Sequence, residues 1–135
     1  IQAAQAAREE ATAAGVADRL RIEGGDFVRH VDDMEAAGIV TLDKVICCYP
    51  DVEALVRLSA ARARRLYALV LPRNRWYVRL ATRLENAWFW LQRDAYRAYA
   101  HANTAIDDQL EAIGFGKRAE AFTPWWRVVL FERRA

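Results

Sequence analysis

Gly38-Ile39-Val40-Thr41-Leu42-Asp43-Lys44-Val45-Ile46-Cys47-Cys48-Tyr49-Pro50-Asp51 is the stretch from which the rest of the sequence can be ordered. Gly38 to Leu42 is apolar and rich in β-branched residues, which predicts a buried strand. Asp43 ends it and presents a carboxylate. Lys44 to Pro50 predicts a loop or a single irregular turn. Asp51 is a good N-cap, because its side chain can accept a hydrogen bond from a free backbone N–H of the following turn. The helix it starts is expected to run to about Arg64, with Val52, Leu55, Val56, Ser59 and Ala63 on one face.

Working outward, Leu66-Tyr67-Ala68-Leu69-Val70-Leu71 is a second fully apolar run, halted by Pro72. Such a run suits a parallel strand covered on both faces. Upstream, residues 2–14 are rich in Ala, Gln, Glu and Arg and predict a helix, with Gly15 as its stop. Leu20-Arg21-Ile22 is a short strand candidate, followed by Gly24-Gly25. Downstream, residues 75–93 predict a long helix. Thr104-Ala105-Ile106-Asp107 has the form of a capping box at the head of a further helix that Gly114 closes. Residues 117–122 and 126–132 predict a hairpin around Pro124. Strands separated by helices imply a parallel sheet with right-handed crossovers. The expected fold is therefore α/β, a doubly wound and mostly parallel sheet with a C-terminal antiparallel hairpin, in a single domain spanning 1–135.

Composition bounds the function. The chain has 135 residues, 54% of them apolar and 28% charged, which is enough to bury a core. The net charge of +2 is too small to argue for nucleic acid. No apolar run approaches the ~20 residues of a membrane-spanning helix, so stable membrane insertion is not expected. Cys47 and Cys48 are the only cysteines and are adjacent, so a disulfide framework is excluded and a reduced, cytoplasmic protein is expected. His30 and His101 do not stand at metal-ligand spacing from the cysteines, so no metal is expected.

In an open α/β sheet ligands lie beyond the carboxyl ends of the strands. That rule points to Gly24-Gly25-Asp26-Phe27, to Asp43 through Pro50, to Pro72-Arg73-Asn74 and to the neighbourhood of His101. Glycine allows close backbone approach, Asp26 can accept hydrogen bonds from an amino group, and Phe27 can lie against a flat ring. Tyr49 offers a phenol. A thiol nucleophile at Cys47 or Cys48 would need a base that the sequence does not name.

Taken in order, these features resemble class I S-adenosylmethionine-dependent methyltransferases. Residues 2–14 match the helix after that family's second strand. Gly25-Asp26 matches the pair that touches the adenine. Val40-Thr41-Leu42-Asp43 matches the strand whose end faces the methyl donor, and Cys47-Cys48-Tyr49-Pro50-Asp51 matches the loop and Pro-Asp start of the next helix. Ile113-Gly114-Phe115 and the hairpin after it match the family's tail. The resemblance implies S-adenosylmethionine as cofactor and methyl transfer to a small-molecule acceptor. It implies Gly25, Asp26, Phe27, Leu42 and Asp43 as cofactor-binding residues. Tyr49, His101 and Arg73 are the candidates to orient or deprotonate the acceptor.

One departure is large. The family's glycine-rich turn after the first strand, and the acidic residue after the second, have no counterpart in these residues. The chain starts at Ile1 and its single methionine is Met34. Both features lead us to expect the C-terminal portion of a methyltransferase-like domain within a longer chain. Strand edges left bare by the missing strands favour a homo-oligomer or a swapped dimer. The rival reading is a non-catalytic α/β interaction module. It would dock through the helix at 75–93, where Trp76, Leu80, Leu84, Ala87, Trp88 and Leu91 form one stripe and Arg75, Arg79 and Arg83 another.

Overall fold

The computed structural model describes residues 2–99 and 101–135. The chain divides into two compact units, Ile1–His30 and Val31–Ala135.

The first unit is built on helix α1, Gln2–Ala13. It closes as the glycine predicts. Gly15 adopts φ +68°, Val16 N–H donates to Ala11 O at 2.9 Å, and Gly15 N–H donates to Thr12 O at 3.0 Å. These two bonds satisfy carbonyls that the helix end would otherwise orphan. Leu20-Arg21-Ile22 is not a strand. It is extended, but no strand pairs with it among the described residues, and Ile22 O instead accepts from Arg8 Nη2 at 3.1 Å. Strand propensity without a neighbour to complete the ladder does not make a strand. The unit ends in the four-residue helix α2, Phe27–His30.

The second unit holds a four-stranded sheet ordered β1-β2-β4-β3. Its strands are β1 at Ala37–Asp43, β2 at Ala63–Pro72, β3 at Phe115–Phe122 and β4 at Trp126–Arg133. β1 pairs parallel with β2, while β4 runs antiparallel to both β2 and β3. β1, β2 and β3 therefore point the same way, and β4 is the reversed strand between two of them. The mixed, open α/β sheet with a closing hairpin agrees with the sequence pattern. The stretch between β1 and the next helix contains one irregular turn, a 3₁₀ turn at Ile46–Cys48.

Helix α3, Val52–Ala61, starts where Asp51 predicts, with Ala54 N–H donating to Asp51 Oδ1 at 3.0 Å. It stops short of Arg64. Ala63 already pairs with Ala37 in the sheet, and the Arg133 guanidinium takes up Ala60 O at 3.1 Å and Ala63 O at 2.8 Å. Those donors satisfy the backbone where the helix hands over to the strand. Helix α5, Asn103–Ala112, packs with α3 on the sheet. Leu55, Val56, Ile106 and Leu110 from these helices meet Tyr67, Phe115 and Phe131 in the core, all essentially without solvent exposure. Each such apolar side chain contributes roughly 1.5–3 kcal/mol of burial free energy. Ser59 joins the layers through polar bonds, to Leu55 O at 2.6 Å and to the Tyr67 hydroxyl at 2.7 Å.

Helix α4 spans Trp76–Leu91. Its predicted apolar stripe is not packed against the sheet. Only Val78 is buried, while Trp76 is 74% exposed, Leu84 63%, Trp88 59% and Leu91 68%. Tyr77 fastens the start of α4 to the hairpin turn, donating to Pro124 O and meeting the Trp125 ring edge-on at 5.5 Å.

The capping box at Thr104 does not form. The N-cap is Ala102, with no side-chain bond, and Thr104 lies inside α5. Asp107 serves a different partner. Arg127 of β4 is 3% exposed, and its guanidinium grips both Asp107 oxygens at 2.8 and 2.6 Å while bonding Glu120 of β3. Lys117 Nζ adds a contact to Asp107 at 2.8 Å. A buried cation needs this counter-charge more than a helix end needs a cap. Burial alone would push the Asp107 carboxyl up, but Arg127 and Lys117 outweigh it and hold the group below the ordinary aspartate range.

Replacing Asp107 by Asn should cost about 3 kcal/mol or more in urea denaturation, because it leaves Arg127 buried without its main partner. A carboxyl pKa lowered by folding contributes stability in full above its unfolded value of about 4 and loses it as pH falls through the folded value. The wild-type acid limb should therefore be steeper than that of Asp107→Asn. Ser59→Ala should cost about 1–3 kcal/mol, since the buried Tyr67 hydroxyl loses its acceptor.

Candidate functional site

The carboxyl ends of β1 and β2 form the open edge where ligands lie in such sheets. Leu42, paired with Leu69, is the last buried residue of β1, and Asp43 beside it is exposed. Lys44 turns the chain with a left-handed φ of +56° while its N–H donates to Val70 O at 3.0 Å. That bond anchors the loop to β2 just past the strand end.

The 3₁₀ turn at Ile46–Cys48 is held from below by Ile46, which is 1% exposed. From the other side it is held by the segment that links α4 to α5. Asn86 of α4 clamps Ala98 with a reciprocal pair of bonds, both 2.8 Å. The adjoining Tyr99 N–H donates to Cys47 O at 2.6 Å, and Tyr96 packs edge-on against Phe89 at 4.9 Å. These contacts bring His101 to the Tyr49 backbone, with Nε2 at 3.2 Å from Tyr49 O, and stack its ring on Tyr99 at 5.7 Å. A carbonyl oxygen can only accept, so in this contact Nε2 is the donor.

α5 leads into β3, so its N-terminus lies at the same end of the sheet as the N-terminus of α3. Between these two helix starts is a cleft of about 580 Å³ lined by Val52, Glu53, His101, Asp108 and Gln109 among others. Gln109 Nε2 bridges it by donating to Glu53 O at 2.7 Å. The cleft thus has the His101 imidazole, Glu53 and Asp108 in its lining.

The sequence candidates are distributed unevenly. Leu42 and Asp43 stand at the strand end, and Tyr49 and His101 meet across the loop, although the contact uses the Tyr49 carbonyl and not its phenol. Arg73 is committed elsewhere. Its N–H donates to Trp125 O at 2.9 Å, its guanidinium to Thr123 O at 3.0 Å, and it lies over the Phe122 ring at 4.8 Å. Arg73 thus secures the hairpin turn. Gly25, Asp26 and Phe27 belong to the first unit. Gly25 adopts φ +148°, a conformation that side chains disfavour. Asp26 Oδ1 accepts from Val28 N–H at 3.1 Å, an Asx turn that starts α2.

Cys47 does not have the setting of a thiolate nucleophile. Burial, and then its bond to Cys48, push the Cys47 thiol up to about 11. The Tyr96 phenol, bonded to Cys48, is held above its usual range for the same mutual reason and by burial. Tyr96, Tyr99 and Asn86 were not legible as site residues, because their partners lie many residues away and no local pattern marks them. Among the described residues no group of three or more His, Cys, Asp or Glu side chains is placed to hold a metal ion. Nor is any helix among them long and apolar enough to cross a membrane.

No family model and no curated protein matches the sequence. Solved structures do match the fold. Magnesium protoporphyrin IX methyltransferase from Synechocystis PCC 6803, with SAH bound, is 17% identical, with a TM-score of 0.63 over 81% of this chain and 49% of that one. An O-methyltransferase family protein from Burkholderia thailandensis is 16% identical, with a TM-score of 0.69 over 97% of this chain and 41% of that one. Mitomycin 7-O-methyltransferase is 19% identical, with a TM-score of 0.69 over 96% of this chain and 39% of that one. This chain thus spans less than half the length of each of the three. Its fold is that of part of a class I methyltransferase domain, an incomplete Rossmann-like sheet closed by an antiparallel hairpin.

Proposed function

We propose that the chain works as the C-terminal part of an S-adenosylmethionine-dependent methyltransferase domain and transfers methyl to a small-molecule acceptor. The observation that carries this reading is the likeness of the fold to methyltransferase structures, among them one solved with SAH bound at a TM-score of 0.63. The residues fit the group. Asp43 sets an exposed carboxylate at the carboxyl end of β1, opposite in charge to a sulfonium and an ammonium, and Leu42 gives the strand end an apolar floor. Gly25, Asp26 and Phe27 are assigned to the adenine. When bound, the cofactor supplies an electrophilic methyl group.

The chain's own part is placement and proton handling. Holding two reactants in line removes much of the entropic barrier to displacement. His101, with Nε2 committed to the Tyr49 carbonyl, presents Nδ1 to take a proton from an acceptor hydroxyl. Tyr49 contributes the carbonyl that holds the ring. Arg73 positions the hairpin turn and is not assigned to the acceptor.

In the whole protein, Asp43→Ala and Asp26→Ala should each weaken S-adenosylmethionine binding in calorimetric titration, and unchanged affinity would remove that residue from the cofactor site. His101→Ala should lower kcat by about 10²-fold or more with donor affinity retained. The 135-residue chain alone should fail to bind the donor at micromolar concentration, since half of the implied cofactor site has no counterpart in it.

One observation favours the interaction-module reading, namely the exposed Trp76, Leu84, Trp88 and Leu91 stripe of α4. Whole protein that binds no donor at all, yet loses a partner when Trp88 is replaced by Glu, would establish that reading instead.

A further inference from the structure

Cys47 and Cys48 are neighbours whose side chains face the same way. In an extended strand adjacent side chains point to opposite faces, but these two sit on a 3₁₀ turn behind the left-handed Lys44. Both thiols turn toward one carbonyl, Lys44 O, at 3.1 Å from Cys47 Sγ and 4.0 Å from Cys48 Sγ. Their sulfurs are 3.5 Å apart, and Cys48 Sγ also meets Tyr96 Oη at 3.0 Å. The backbone around them is pinned, by Lys44 N–H on Val70 O and Tyr99 N–H on Cys47 O. Cys48 is exposed and Cys47 half-buried, so a small molecule can reach the pair.

We propose that Cys47 and Cys48 form a preorganised dithiol site for a trivalent thiophilic centre, an organic arsenical(III) being the chemical class it takes. A tetrahedral ion such as zinc takes three or four protein ligands, and no third His, Cys, Asp or Glu is placed to supply one among the described residues. An arsenic that already carries one organic group needs two thiols only. A direct disulfide between adjacent cysteines is strained, and one atom inserted between the sulfurs enlarges the ring and relieves it. The reaction needs no oxidant. Two S–H bonds and the As=O bond break, two S–As bonds form, both protons leave with the oxygen as water, and arsenic stays trivalent. The fixed turn contributes by sparing the entropy of bringing the two thiols together. The site does not depend on methyl transfer.

The test uses phenylarsine oxide on the whole protein, read by intact mass and by the free thiols consumed relative to the Cys47→Ser/Cys48→Ser double variant. The expected result is one adduct per chain with both thiols consumed, stable to excess glutathione and released by 2,3-dimercaptopropanol. Cys47→Ser and Cys48→Ser should each lose the glutathione-resistant adduct, and Tyr96→Phe should keep it. The folded chain should hold the arsenical at least about tenfold more tightly than the same chain unfolded in urea, the share that preorganisation supplies. An adduct that glutathione strips from the wild type would overturn the site. So would equal affinity in folded and unfolded chains, and that comparison also decides the matter should a serine variant fail to fold.

Discussion

The buried charge of Arg127 is the constraint on which the carboxyl-terminal half of the second unit depends. Arg127 sits on the strand that the hairpin inserts beside β2, almost sealed from water, and bonds Asp107 of α5 and Glu120 of β3 at once. Burial disfavours its charge, yet the two carboxylates more than offset this and keep it firmly protonated. A buried ion pair is a weak source of net stability, because desolvation consumes much of the attraction. Its force here is geometric. Any slip of β3 against β4, or any displacement of α5, would leave a charge buried without a partner. The pairing of Phe122 with Arg127 and the seat of α5 are thereby fixed together.

The site inherits that order. α5 begins immediately after His101, so fixing α5 fixes the far end of the segment that returns from α4. The near end is held by Asn86 on Ala98. Tyr96, Tyr99 and His101 of this returning segment each meet the loop after β1. Strand end, loop and returning segment become one assembly at the carboxyl edge of the sheet, where the parallel pair leaves its ligand-facing end open.

Much of this was legible locally. Apolar runs ended by Asp43 and Pro72 marked β1 and β2, Asp51 marked the start of α3, and Gly15 marked the end of α1, because each signal acts within a few residues. The failures have one cause. Leu20-Arg21-Ile22 has strand composition, but a strand exists only with a neighbour to bond. Thr104 and Asp107 have capping spacing, but Asp107 is claimed by a buried arginine twenty residues on.

The sequence by itself determined the α/β class, the carboxyl ends of β1 and β2, the start of α3 and the stop of α1, since propensity and turn chemistry are properties of neighbouring residues, and the ordered set of features carried the resemblance to class I methyltransferases. Only the tertiary structure decided which strand β4 lies beside, that Arg127 claims Asp107, that His101 Nε2 meets the Tyr49 carbonyl, and that two adjacent thiols converge with Tyr96. Each of these depends on groups far apart in the chain, and their competition for burial and for hydrogen-bond partners is resolved only when the sheet has formed.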